Sequence, residues 1–295
     1  MRCDATNCPR LGISLRSLSH GKKINNCLLQ PCIDSPRSSL ANQVFSIRVP
    51  RFVCTTMPFT LLEVDFATDF SDVIECQWVS YEHPLQPFFR MFCPLSGDGP
   101  AARAESLEAS AAVQLDWHRT DPASYWRKAV DENGKIVGAC LWKIYKTNPF
   151  DKPDDHAGAE WYPEGEKREY VSKCLEQFDA PRRSMAARPH VYLNILFTHP
   201  DYRRRGVADL MLAWGKERAD EMGVEMWLDA TAYGVPVYLK HGFLVVNENR
   251  PRPTKREPGE AWRTIDQELQ PMAFWQMWRP VGGIYDEGKT VKPWV

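Results

Sequence analysis

The sequence predicts an α/β protein, and three observations carry that expectation. An apolar, β-branched run at 191–197, a helical pattern from Val207 and a second apolar run from Val224 follow one another without interruption. Two runs at 125–130 and 135–145 flank the turn sequence Asp131-Glu132-Asn133-Gly134, which is hairpin chemistry. A segment rich in alanine, glutamate and leucine, 101–116, has helical propensity.

The 295 residues are 43 % hydrophobic and 25 % charged, the balance of a globule with a proper core. A net charge of −1 hides an asymmetry, because residues 1–56 hold eight Lys or Arg against two Asp. That stretch also contains five of the nine cysteines and seven serines, with no period of two or 3.6, so it is expected to be a disordered leader. Three readings of it compete. Its Arg- and Ser-rich, acid-poor composition resembles an organelle transit peptide. Alternatively it is an extension or tail ahead of a start at Met57. A third reading is a zinc site from Cys3, Cys8, Cys27 and Cys32, whose two Cys-x4-Cys pairs lie at the loose end of ligand spacing. The adopted organisation is a leader over 1–56 and one domain over 57–295, with no metal. No secretory apolar region and no run of about 18 apolar residues occurs. The expected compartment is therefore the cytoplasm, or the mitochondrion if the leader is a transit peptide, with free thiols.

From Pro58 to Val64 the pattern suits a first strand, and Asp69 to Tyr81 suits a helix begun near an Asp or Ser cap. The aromatic stretch His83 to Pro94 is broken by prolines. Gly97, Gly99 and Ala102 spell a Gly-x-Gly-x-x-Ala string, but Pro100 interrupts it and no good strand precedes it, so a dinucleotide fingerprint is rejected. After the helix at 101–116 and the hairpin, a long connection from Asn148 to His190 contains a helix expected at Glu166 to Phe178. Its Trp161 and Tyr162 and its acids Asp154, Asp155 and Glu160 either help admit a cationic amine or form a solvated acidic loop.

The strand from Val191 ends at Thr198-His199-Pro200, and the loop Asp201 to Arg205 supplies three consecutive arginines before Gly206. Apolar residues then recur at Val207, Leu210, Met211 and Trp214, the spacing of a helix face. Gly223 is a left-handed C-cap, and the strand Val224 to Leu228 completes a right-handed parallel crossover. Unpaired N–H groups and the positive dipole end at the strand-to-helix junction bind anions, and Arg203, Arg204 and Arg205 add donors suited to phosphate. Alone, this is also the description of a solvated basic turn. Past Phe243 a strand is expected to about Asn247, then a loop at Arg250 to Arg256, a last strand at Leu269 to Trp278, and a tail from Gly282 that packs on the surface or moves.

The loop resembles the cofactor motif Arg/Gln-x-x-Gly-x-Gly/Ala of the GNAT acetyltransferase superfamily, matched by Arg203, Gly206 and Ala208. About 30 residues on, Tyr238-Leu239-Lys240-His241-Gly242-Phe243 is similar to that family's Tyr-x-x-x-Gly-Phe ending. The resemblance covers about 57 to 280. It implies the GNAT fold, a central mixed β-sheet flanked by helices, and acetyl-CoA as cosubstrate. It further implies that the loop and helix start, Arg203, Arg204, Arg205, Gly206, Val207 and Ala208, hold the pyrophosphate. Leu196, Phe197 and Thr198 would pair with the pantetheine arm, His83 to Pro94 would wall the acceptor site, and Tyr238 would be the general acid. Alanine at 208 replaces the commoner glycine, and Thr231 stands where many relatives place an asparagine.

The chemistry requires donors for an oxyanion and a proton for a departing thiolate, which a phenol supplies. Candidates for the general base are His199, Asp229 and Glu160, each with an alternative role as cap, turn or surface charge. The expected activity is N-acetyl transfer to a primary amine by direct attack. The expected acceptor is a small-molecule amine, since no long charged groove for nucleic acid is evident and no membrane contact is indicated. Peptide amines are the alternative acceptor, and a degenerate acyl-CoA-binding or protein-interaction module the alternative class. Motifs of a serine hydrolase and of a P-loop are absent.

Overall fold

In the computed structural model, residues 58–151 and 158–294 are described. The expectations for the leader, for its cysteines, for a start at Met57 and for Asp154 and Asp155 lie outside the described residues. The described chain runs β1 (Thr60–Glu63), α1 (Phe70–Glu82), α2 (Phe89–Phe92), α3 (Gly99–Thr120), β2 (Ser124–Val130) and β3 (Ile136–Tyr145). It continues through α4 (Glu166–Met185), β4 (His190–Thr198), α5 (Val207–Met222), β5 (Glu225–Ala230), α6 (Val235–Lys240), β6 (Leu244–Asn249), α7 (Glu260–Leu269) and β7 (Phe274–Arg279). The seven strands form one mixed sheet in the order β1-β2-β3-β4-β5-β7-β6. Only β4 and β5 run parallel, joined by the α5 crossover; every other pair is antiparallel.

Two register facts shape the middle of this sheet. Across β3 and β4, Leu141 faces Ile195 and Trp142 faces Leu193, so Asn194 is an extra residue and β4 bulges there. Pairing of β4 with β5 runs only from His190–Glu225 to Leu193–Leu228. Beyond it β5 continues to Ala230 against β7 alone. The two parallel strands therefore part just where the bulge lies, and a gap opens in the sheet.

The strands alternate their side chains between two covers. Val191, Leu193, Leu196, Met226, Leu228 and Met277 pack with α5 and with Tyr238 and Phe243. On the other face Ala139, Leu141 and Phe197 meet α1, while α2, α4 and α7 enclose Tyr162, Tyr170, Trp262 and Phe274. Described helices include none long and apolar enough to cross a membrane. Cys76, Cys93, Cys140 and Cys174 are buried free thiols.

Two sequence expectations need correction. Leu269 does not begin the last strand; it closes α7, whose Trp262, Ile265 and Leu269 are buried along one side. The cap of α7 is remote in sequence, because Glu166 on α4 accepts the N–H groups of Gly259 at 2.9 Å and Trp262 at 3.3 Å. Helix α4 does not stop at Phe178 but passes through Pro181 to Met185. Proline removes the N–H that would reach the Gln177 carbonyl, and the Asn249 side chain on β6 donates to that carbonyl at 2.9 Å instead. The tail, expected to pack on the surface or move, packs at Trp294, whose ring lies edge-on against Trp227 and Trp278 with centroids 5.8 and 5.2 Å away.

Helix α5 approaches the sheet closely at Gly215, where an added Cβ would lie 2.3 Å from Cζ2 of Trp142. An exposed helical glycine normally gains about 1 kcal/mol on replacement by alanine. Here Gly215→Ala drives a methyl into a fully buried indole, and overpacking of this kind costs about 1–3 kcal/mol. The expected outcome is a lowered melting temperature, measured by thermal unfolding; an unchanged or raised value would show that α5 does not lie this close to β3.

Candidate active site

The basic loop leaves β4 at Thr198 and passes through a 3-10 turn, Pro200–Tyr202. Arg204 and Gly206 then take left-handed conformations, φ 59° and 89°, a geometry that glycine adopts without a Cβ penalty. The first N–H bonded back into the helix is that of Leu210, to the Gly206 carbonyl at 3.1 Å. Among the described residues, no acceptor takes the amides of 204–209. Six consecutive N–H donors therefore surround the positive end of a sixteen-residue helix, which is an anion cradle by geometry and by dipole.

The three arginines differ in what they touch. Arg203 is tied inward: Nε donates to the Thr198 carbonyl at 3.2 Å, Nη1 to that of His83 at 2.6 Å and Nη2 to that of Ser80 at 2.6 Å. Its guanidinium thus caps the C-terminus of α1, where a cation complements the dipole. Arg205 lies over the rings of Phe59 and Tyr202 at 5.2 and 5.1 Å. Arg204 is exposed and has no ion pair or hydrogen bond among the described residues.

Next to the cradle runs the free edge of β4. The His199 N–H donates to the Val137 carbonyl at 2.9 Å, and antiparallel alternation then turns the backbone groups of Phe197 toward β3 and those of Leu196 and Thr198 toward the gap. The gap-facing carbonyls are taken by the Tyr81 hydroxyl at 3.1 Å and by Arg203. The gap-facing N–H groups of Leu196 and Thr198 point where β5 has turned away. Of the three strand residues expected to meet a pantetheine arm, two present backbone donors to the gap and Phe197 presents only its buried ring.

Two phenols reach the gap from opposite faces. Tyr238 sits on α6 with its ring laid over Gly234, where a Cβ would be 2.6 Å from Cε2, and edge-on to Phe243 at 6.0 Å. It is 9 % exposed, and its hydroxyl has no hydrogen-bond partner among the described residues. Burial pushes its pKa well above the usual tyrosine value, with a lesser contribution from Cys140, so it stays protonated. Tyr81 comes from the end of α1, and burial, then the nearby Tyr238, push it up as well. Sequence reasoning missed Tyr81, which reads only as one aromatic on an amphipathic helix.

The base candidates separate clearly. His199 accepts the Asp201 N–H at 3.3 Å as the cap of the 3-10 turn. Desolvation and the surrounding cations push its pKa down. Glu160 is exposed, and its neighbours Trp161 and Tyr162 donate to the α2 carbonyls of Met91 at 3.0 Å and Arg90 at 2.6 Å. Asp229 is the penultimate residue of β5, one beyond the last β4 pair, its side chain 2 % exposed. The Tyr192 hydroxyl donates to it at 3.0 Å, and burial lifts its carboxyl to about 6. Elsewhere on the face opposite α5 runs a row of rings, Tyr81–Phe88, Phe88–Phe274 and Phe178–Phe274, with centroids 5.4, 5.5 and 4.7 Å apart.

Compared with known proteins, the Acetyltransferase (GNAT) family matches residues 88–243. No curated protein sequence matches the chain. Among solved structures, arylalkylamine N-acetyltransferase 2 from Aedes aegypti is 18 % identical, covers 75 % of this chain and 98 % of its own, and has a TM-score of 0.50. A Drosophila melanogaster polyamine N-acetyltransferase is 14 % identical, with 76 % and 100 % coverage and a TM-score of 0.48. A histone acetyltransferase HPA2-related protein from Corynebacterium glutamicum is 20 % identical, with 78 % and 99 % coverage and a TM-score of 0.47. The mosquito enzyme shares the mixed-sheet fold.

The contrast between neighbouring arginines is testable. Arg203→Ala strands three carbonyls that a charged donor now satisfies, at a cost of about 2 kcal/mol or more, and a fall of roughly 4–8 °C in melting temperature is expected. Arg204→Ala should leave the melting temperature unchanged. Equal effects of the two in differential scanning calorimetry would contradict the placement of Arg203 under α1.

Proposed function

Because the chain belongs to the GNAT family of acetyltransferases, we propose that this enzyme moves an acetyl group from acetyl-CoA to a small-molecule primary amine by direct attack. The observation that carries the reading is the run of six unpartnered amides at 204–209 beside the free edge of β4. Bound acetyl-CoA supplies the thioester and hence the acyl donor. The amides of 204–209 and the Arg204 guanidinium hold its pyrophosphate, by N–H donation and by charge. The N–H groups of Leu196 and Thr198 take the pantetheine arm as an added half-strand. Tyr238 holds a proton at its hydroxyl beside the gap, where a departing sulfur needs one, and its raised pKa keeps that proton in place at neutral pH. Arg203 acts at one remove, fixing the loop to the helix that bears Tyr81.

The small-molecule acceptor is supported by what covers the opposite face. Helices α4 and α7 pack there against α2, and the rings of Phe88, Phe274 and Phe178 form a row that reaches Tyr81 beside the gap, which favours an amine with an apolar body over an extended chain. Acetyl-CoA binding to the full chain, measured by calorimetry, tests the reading. The parent should bind; Arg204→Ala should bind about tenfold more weakly, as loss of one charge-assisted contact implies. Tyr238→Phe should bind equally well and release thiol about 100-fold or more slowly from acetyl-CoA with phenethylamine as acceptor. A folded parent that does not bind acetyl-CoA overturns the proposal.

A further inference from the structure

Asp229 combines three features that a supporting residue does not need. It is the first residue of β5 beyond the β4 pairing, so it flanks the gap. It lies on the face covered by α1, α4 and α7, opposite Tyr238, since Trp227 and Asp229 alternate with Met226, Leu228 and Ala230 on the α5 face. And its hydrogen bonding is uneven: Oδ2 accepts from Tyr192 at 3.0 Å, while Oδ1 is buried without a well-formed hydrogen bond and the Gln276 side-chain amide beside the carboxylate makes only a loose contact.

The charges there do not balance either. Arg182 on α4 stands 3.4 Å from the Asp229 carboxylate, yet it also pairs with Asp179 one turn back. Its ring-facing side lies 4.2 Å over Tyr192. The groups facing Asp229 are thus Arg182 and Asp179 from α4, Tyr192 from β4 and Gln276 from β7, with Tyr145 on β3 facing Arg182. One guanidinium serves two carboxylates. Asp179 is 26 % exposed and solvated, while Asp229 is enclosed, so its charge is fully compensated only when it binds a proton or a cation arrives. Arg182 would keep a carboxylate partner without Asp229.

We propose that Asp229 is the proton acceptor for the attacking amine, an inference that rests on the acetyl-transfer reading. The amine lone pair forms the N–C bond to the thioester carbonyl and the C–S bond breaks with its pair on sulfur. The nitrogen's proton passes to Oδ1 of Asp229 while sulfur takes the proton of Tyr238. Solvent then returns a proton to Tyr238 and removes one from Asp229, which closes the cycle. Tyr192 and Arg182 are positioning residues that hold the carboxylate.

A base must be unprotonated to act, so activity should rise with pH through the carboxyl's own titration, which burial has lifted to about 6. The test uses the full chain, acetyl-CoA and phenethylamine, with the slow hydrolysis of acetyl-CoA as an acceptor-free readout. Asp229→Asn should keep the acetyl-CoA affinity and the melting temperature within error, lower kcat about 100-fold or more at pH 7, and lose the acidic limb of the pH profile. Tyr192→Phe removes a donor that favours the ionised carboxylate, so it should keep the limb but move it to higher pH. Asp229→Asn with the parent's rate and limb in both assays overturns the assignment, as does a parent that binds acetyl-CoA and acetylates neither amine nor water. Loss of acetyl-CoA binding by the parent itself points instead to the wider proposal.

Discussion

The separation of β4 from β5 is the constraint on which the remaining architecture depends. A parallel pair would normally continue its ladder to the strand ends. Here the extra residue at Asn194 shifts the β3–β4 register, and pairing with β5 ends at Leu193–Leu228. The lost hydrogen bonds leave backbone donors that a folded interior cannot leave unmet. Carbonyls of Leu196 and Thr198 are answered from within, by Tyr81 and Arg203. Their amides, and those of the loop that follows, have no partner among the described residues. The gap is a product of register rather than of any one side chain.

Arg203 links this gap to its surroundings. Three carbonyls from two elements converge on one guanidinium, so the cradle, the end of β4 and the helix carrying Tyr81 share one strut. A lysine, with a compact ammonium, could not span the same three acceptors in one plane. That is a structural reason for arginine at the first position of the family motif, separate from any contact with phosphate. On the proposed reading, anion binding would then fall to the exposed Arg204 and to the main chain, which a ligand can approach because Gly206 adopts φ 89° without a side chain in the way.

What was legible in the sequence was local. The hairpin announced itself through Asp131 to Gly134, and the crossover through Val207, Leu210, Met211 and Trp214 followed by Gly223, because those signals act over a few residues. Helix α7 was hidden behind a proline-rich stretch, and its cap comes from Glu166, far away in the chain. Helix α4 looked finished before Pro181 because the donor that replaces the missing N–H is Asn249 on β6. Cradle residues could be named from a motif, yet the division of labour among Arg203, Arg204 and Arg205 could not, since it depends on Ser80, His83 and Phe59. Tyr81 and the partners of Asp229 were invisible for the same reason: side chains more than 30 residues apart converge only after the sheet has formed.

Burial acts on both sides of the gap with one sign and two consequences. Removing water disfavours the charged form of any acid, so it raises Tyr238 and Tyr81 far beyond neutrality and Asp229 only to about 6. Equal treatment of unequal acids leaves a phenol that keeps its proton on the α5 face and a carboxyl that exchanges one on the α4 face. Arg182 and Tyr192 limit the rise of Asp229 by favouring its ionised form. Acyl transfer to an amine needs a donor at sulfur and an acceptor at nitrogen, on opposite sides of one carbon. On the proposed reading, a sheet parted down its middle would supply both, Tyr238 from one face and Asp229 from the other.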